Sequence, residues 1–265
     1  MPGILEYILI VLVAFGAAML TFFSGFGLGT ILMPLFAIFF PVEIAIATTA
    51  VVHLANNLFK VSLIWKAVNP RVLLWFGIPA AGAAFLGAYL LDLISGNTSL
   101  FTYHLLGREM EVTVLKLIIA GLLLLFAAME ISRRLEEIRM NRKYLPLGGV
   151  LSGFFGGLSG HQGALRSMFL LKAGLGKEGF IATGVGAAIL IDISRLSVYG
   201  TSFFLERFRK LDDGSATPLI VATLAAFAGS FLGRRVLRKV TYRWVQLTVG
   251  ILILMMALLL GAGIV

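Results

Sequence analysis

Long apolar runs recur along the chain, and its charged residues gather in the short segments between them. Run length predicts helices over about 4–23, 26–40, 43–65, 71–94, 112–131, 145–158, 162–173, 178–204, 216–233 and 243–263. Most of these runs suffice to cross a hydrocarbon core about 30 Å thick. They lack the alternation of a membrane barrel, and only helices or closed barrels can span lipid. Pro34, Pro79, Gly82 and Gly87 fall inside them, which is tolerable because neighbouring helices satisfy the freed backbone groups. The runs 145–158 and 162–173 are each too short to span comfortably. They are expected as re-entrant half-helices meeting near the midplane.

The same short text occurs twice. Ile46-Ala47-Thr48 returns as Ile181-Ala182-Thr183, 135 residues later, and that spacing also relates Asn57 to Asp192 and Lys60 to Arg195. A glycine-rich break precedes each copy: Gly25-Phe26-Gly27-Leu28-Gly29 and Gly157-Leu158-Ser159-Gly160-His161-Gln162-Gly163. Related halves with interrupted apolar segments are the mark of many secondary transporters. Loop charge gives an independent reading. The basic loops 132–144 and 234–243 and the turn Lys66 to Arg71 belong in the cytoplasm, and 95–111 and 205–215 outside. Counting crossings between them starts the first half outside and the second inside. The expected fold class is all-α, a polytopic helical membrane protein of two inverted-topology repeats with broken or re-entrant helices. Residues 1–131 form the first repeat, 132–144 a basic cytoplasmic linker and 145–265 the second repeat.

Composition narrows the function. Hydrophobic residues make up 59% of the 265 and charged residues 13%, against about 45–50% and about 25% in soluble domains. The net charge of +9 sits in inter-helix loops, where membrane topology wants it, so nucleic acid is not an expected partner. With no cysteine, disulfides, thiolate metal sites and thiol catalysis are excluded. Met1 to Tyr7 holds no Lys or Arg, so no signal-peptide n-region is present and the first helix is expected to stay. No phosphate-binding G-x-x-x-x-G-K-[ST] motif occurs. Energy is expected from a gradient, with protons or sodium as coupling ions, and no cofactor or metal is expected.

The candidate site follows from the breaks and the intramembrane polar residues. Glycines let a backbone leave its helix and let helices approach closely. Half-helices restarting at Thr30 and Ala164 would aim their N-terminal N–H groups inward, a ready anion site; tight packing of small residues is the better explanation of any single glycine, and the pairing of the breaks in both halves is what points to a site. Arg166 stands about one turn past the second break and can hold an oxyanion with two parallel hydrogen bonds, or serve a structural ion pair. Gly27, Gly29, Thr30, Thr48, Thr49, His53, Asn57, Ser159, Gly160, His161, Gln162, Gly163, Arg166 and Thr183 are the expected substrate-binding residues. His53, His161 and Asp192 are candidates for proton coupling. Asp192 and Arg195, three apart, are expected to pair. They form a coupling or gating group with Tyr199 and Lys60, though Lys60 could merely snorkel. Glu43 is expected in solvent at an outer boundary. Intramembrane cations (Lys60, Arg166, Arg195) outnumber acids (Asp192), which points to an anionic substrate.

Two glycine-rich breaks, the first followed by Pro34 and each by a Thr-containing segment (Ala47-Thr48-Thr49, Ala182-Thr183-Gly184), resemble the sulfite exporter TauE/SafE family, also called the toluene sulfonate uptake permease family. The likeness runs over nearly the whole chain. It implies a transporter rather than an enzyme, carrying a sulfur oxyanion or organosulfonate across the bacterial inner membrane. The second half departs from the commoner pattern: Arg166-Ser167-Met168 stands where many repeats carry Pro, and the break reads Gly-His-Gln-Gly. Rival readings are an anion channel, a membrane scaffold and a rhomboid-like intramembrane serine protease. Gly157-Leu158-Ser159-Gly160 matches the GxSG motif of rhomboids. Those enzymes need a later histidine as general base, and none follows His161.

Overall fold

A computed structural model describes residues 4–24, 28–96, 99–105, 107–132, 140–202, 216–236 and 242–265. Among these residues ten α-helices follow one another: α1 (Ile4–Ser24), α2 (Gly29–Ala37), α3 (Val42–Ile64), α4 (Pro70–Ile94), α5 (Val114–Ile131), α6 (Leu145–Ser159), α7 (Gly163–Leu170), α8 (Lys177–Ser202), α9 (Ala216–Val236) and α10 (Tyr242–Gly261). Among the described residues, six are long and apolar enough to cross a membrane, α1, α3, α4, α5, α8 and α9, and α10 adds a shorter apolar stretch. The chain is thus a multi-pass helical membrane protein. α2, α6 and α7 have 9, 15 and 8 residues, below the roughly 20 a span needs.

The helix ends have local causes. Pro70 occupies the first turn of α4, where no N–H is needed, and Asn69 Oδ1 accepts from Val72 N at 3.1 Å. Thr113 caps α5 by accepting from Lys116 N at 3.2 Å. α6 stops at Gly160, whose φ of 80° is open to glycine at little cost. The spacing seen in the sequence recurs in these boundaries. α1 ends at Ser24 and α6 at Ser159, and α3 begins at Val42 and α8 at Lys177, both pairs 135 apart.

Packing runs across the chain's midpoint. α4 lies along α6 and α8, α9 along α1 and α3, α3 along α8, and α5 along α10. Small residues make the closest approaches. A methyl group added at Gly149, Gly153 or Gly157 of α6 would overlap the carbonyls of Phe76, Ala80 and Ala84 of α4, and one at Gly229 of α9 would overlap that of Phe15 of α1. Without a hydrophobic force between helices in lipid, such backbone proximity is what packing can exploit. The outward faces carry Leu12, Trp75, Ile78, Leu86, Leu224 and Leu258, all exposed and suited to acyl chains. Most intramembrane polar side chains point inward.

Two expectations are corrected. The segment 95–111, expected only as a polar outer loop, contains most of an antiparallel hairpin of β1 (Ser99–Leu105) and β2 (Arg108–Thr113). The hairpin is tied to the end of α10 by Tyr103 Oη donating to the Ala262 carbonyl at 2.5 Å. Glu43 is buried rather than solvated, because α3 sinks its whole first turn into the bundle. Gly27, most of the linker's bases, Arg238, Lys239 and 205–215 lie outside the described residues.

Candidate functional site

A cavity lies between α1, α3, α7 and α8, lined by Thr21, Phe22, His53, Asn57, Lys60, Arg166, Phe180, Ile181, Gly184 and Val185. The space is narrow: about 20 Å³ of it admits the centre of a water-sized sphere, so a bound anion has to widen it. Among the described residues no carboxylate lines it; that of Asp192 stands behind the His53 and Asn57 wall. Lys60 is 3% exposed and Arg166 5%. Arg166 is oriented by its own helix start, since Nη1 donates to Gln162 Oε1 one turn back at 3.2 Å. The Lys60 ammonium lies 5.6 Å from the centre of the Phe22 ring. A desolvated cation over a ring gains about 2 kcal/mol, whereas stripping a cation of water costs several kcal/mol. The ring alone does not settle that charge. Lys60 therefore does not snorkel; it faces the cavity.

His53 connects this wall to a buried network. Its Nδ1 is 2.6 Å from Asp192 Oδ2, and Asn57 Nδ2 donates to the same oxygen at 3.4 Å. Asp192 Oδ1 accepts from Arg195 Nε at 3.0 Å and Nη2 at 2.7 Å. Arg195 Nη1 reaches the Gly156 carbonyl at 3.3 Å, and Tyr199 Oη donates to the Gly157 carbonyl. Those carbonyls belong to the last turn of α6; that of Gly156 also accepts from Gly160 N at 3.0 Å and takes the guanidinium as a second donor. A cation there also meets the negative end of the helix dipole. One face of α8 thus both neutralises Asp192 and holds the break in place. Asp192 and Arg195 are fully buried, and the ion pair has the hydrogen bonds it needs to offset desolvation.

The two breaks meet at α3. A methyl placed on Gly29 would lie 3.3 Å from Thr49 Cγ2, 3.7 Å from His53 Cδ2 and 3.8 Å from the Gly160 carbonyl. Near this junction Thr49 Oγ1, His161 Nε2 and Gln162 Nε2 are buried without a hydrogen-bond partner among the described residues. His161 stacks on Phe126 at 5.7 Å and its Nδ1 lies 2.8 Å from the Ser159 carbonyl. That geometry requires Nδ1–H as donor.

Of the expected binding residues, His53, Asn57 and Arg166 line the cavity. Gly29, Thr49, Gly160, His161 and Gln162 stand at the junction of the breaks, and Thr30 and Gly163 are buried in the first turns of α2 and α7. Thr48 and Thr183 are engaged elsewhere. Thr48 Oγ1 donates to Ile44 and Ala45 carbonyls of its own helix, and Thr183 Oγ1 accepts from Asn69 N at 3.0 Å, at the start of α4. Ser159 Oγ donates to the Phe155 carbonyl at 3.0 Å. It has no histidine partner among the described residues, so the serine–histidine pair of a protease is not formed there. No group of three metal-ligating side chains gathers among the described residues.

Sequence reasoning passed over Thr21, Phe22 and Gly184, although Thr21 and Phe22 stand 135 residues before Gly156 and Gly157. It also passed over a wider vestibule beside the cavity, lined by Phe22, Trp65, Lys66, Lys177, Glu178, Ile181 and Arg234 among others. Phe22 and Ile181 belong to both spaces and separate them.

A bundle whose outside is apolar and whose centre holds interrupted helices and a cation-lined cavity is a polytopic membrane protein with a polar interior. Its family is clear. The model of the family described as Sulfite exporter TauE/SafE matches residues 10–260, and the chain belongs to that family. No curated protein and no solved structure matches it.

Proposed function

We propose that the protein is a secondary transporter that binds a small anion in the cavity and passes it across the bacterial inner membrane by alternating access. The observation that carries this reading is the pair of buried cations, Lys60 and Arg166, on the wall of one cavity that, among the described residues, no carboxylate lines. A sulfur oxyanion or organosulfonate suits it, because a compact head group with several acceptor oxygens can engage an ammonium and a guanidinium together. The cavity borders the vestibule of Lys66, Lys177 and Arg234, on the side that loop charge puts in the cytoplasm. His53, with one ring nitrogen committed to Asp192, is the residue through which a proton would be coupled.

The inverted-repeat reading has two supports. Element boundaries recur at the 135-residue spacing. The packing pairs also exchange into one another when the halves are exchanged: α1 with α9 answers α4 with α6, and α3 with α8 and α5 with α10 answer themselves. On this reading residues 1–131 and 145–265 are the two repeats, joined by 132–144. α6 and α7 form a re-entrant pair.

A thermal-shift screen of the purified protein against sulfite, organosulfonates, sulfate and carboxylates tests the proposal. A ligand of the native state present at about 100 times its Kd adds about 2.7 kcal/mol of apparent stability. Arg166→Ala is expected to insert normally and lose that shift. Wild-type binding and uptake in Arg166→Ala would remove Arg166 from the site.

A further inference from the structure

At two matching positions α3 and α8 carry a cation and, one turn before it, a different companion. Asp192 and Arg195 stand one turn apart on α8, and Asn57 and Lys60 stand at the matching positions of α3. On α8 the carboxylate takes two hydrogen bonds from the guanidinium and balances it within one helix. On α3 the matching residue is an amide, which has no charge to give. Lys60 is 3% exposed, and no carboxylate lies within ion-pair distance of its ammonium among the described residues. Asn57 and Lys60 both line the cavity.

We infer that the first half takes its counter-ion from the cargo: the anionic head group occupies, beside Asn57 and Lys60, the role that the Asp192 carboxylate plays beside Arg195. The inference rests on the reading of the cavity as an anion site and deepens it. It makes Lys60 a specificity-determining residue, whereas Arg166, already held by Gln162, contributes from the opposite wall. The Asn57 amide has two N–H bonds. One points toward Asp192; the same nitrogen lies 3.2 and 3.3 Å from the two His53 ring nitrogens, and a head-group oxygen takes the second N–H by displacing that contact. The cargo class is a compact oxyanion, sulfonate, sulfite or carboxylate, with one oxygen for the amide and another for the ammonium.

Binding of sulfite, methanesulfonate and acetate to the purified full chain tests this, alongside the melting temperature without ligand. Asn57→Asp changes charge and not shape, and brings the carboxylate inside the protein. Lys60→Met removes the cation, and Lys60→Arg copies the second half. Both Asn57→Asp and Lys60→Met are expected to weaken binding of the best probe about tenfold or more, the scale for losing one member of a buried charge pair. Lys60→Arg, which keeps the positive charge, is expected to bind within about threefold of wild type. Ligand-free Lys60→Met is expected to melt higher than wild type, because an unbalanced buried charge is gone.

Should Asn57→Asp not fold, Lys60→Met carries the test alone. Wild-type affinity in Lys60→Met or in folded Asn57→Asp, or a lower melting temperature with unchanged affinity in Lys60→Met, overturns the inference and leaves the anion site standing. A wild-type chain that binds none of the three probes overturns both.

Discussion

The middle helices of the two halves have similar text and opposite electrostatics. On α8, Arg195 is enclosed by Asp192 and by carbonyls of α6, and His53 arrives from α3 to complete the set. On α3, Lys60 has, among the described residues, an aromatic ring and a cavity before it. The difference that decides the cation's surroundings is Asp192 against Asn57. A carboxylate turns a cation into part of the scaffold; an amide at the same place leaves the charge for something else. Duplicated sequence can therefore supply support in one copy and function in the other.

The largest effect expected from breaking this comparison is Asp192→Ala. It strands Arg195 with no carboxylate and deprives His53 of its partner, so a loss of about 3–5 kcal/mol is expected in unfolding measurements. Lys60→Met shifts stability the opposite way, as argued above. The interhelical seams come next. Gly153→Ala at α4–α6 and Gly229→Ala at α1–α9 each force a methyl onto a facing carbonyl, and each is expected to cost about 1–3 kcal/mol. Gly121→Ala, where the added methyl meets nothing, is expected to match or exceed wild type in the same melting assay. Tyr199→Phe removes one interhelical hydrogen bond and is expected to cost about 0.6 kcal/mol. The smallest effect is Ser159→Ala, whose hydroxyl only bonds back to its own helix; transport is expected to be unchanged, and its loss would reopen a chemical role for that serine.

Much of the architecture was legible because lipid imposes it. Run length and loop charge locate the helices to within a few residues, and the text duplication anticipates where α1, α3, α6 and α8 begin or end. The Asp192–Arg195 pair was legible as well, since three residues on a helix fix a shared face. The His53–Asp192 contact was not. It joins residues 139 apart, and periodicity carries no information about which helices from two halves become neighbours. Lys60 stood as a coupling or gating residue that could also snorkel, because a lysine near a helix end looks alike whether its tip meets a headgroup or a cavity. Thr183 shared its motif with Thr48, yet tertiary packing sends its hydroxyl to the Asn69 backbone. The hairpin was missed because its short strands mix charged residues with aromatics, and a polar loop has the same composition.

The glycine seams bear on what can move. Along α4–α6 and α1–α9 the backbones touch without intervening side chains, and sliding either pair by one residue would drive a methyl or larger group into a peptide. Each seam also staples an early helix to a late one. On the proposed alternating-access reading, the rigid bodies of the opening motion are expected to be mixed blocks, one holding α4 with α6 and the other α1 with α9, rather than residues 1–131 and 145–265. Paired spin labels on α4 and α6, or on α1 and α9, should keep a fixed separation through the transport cycle, and labels placed across the two blocks should not.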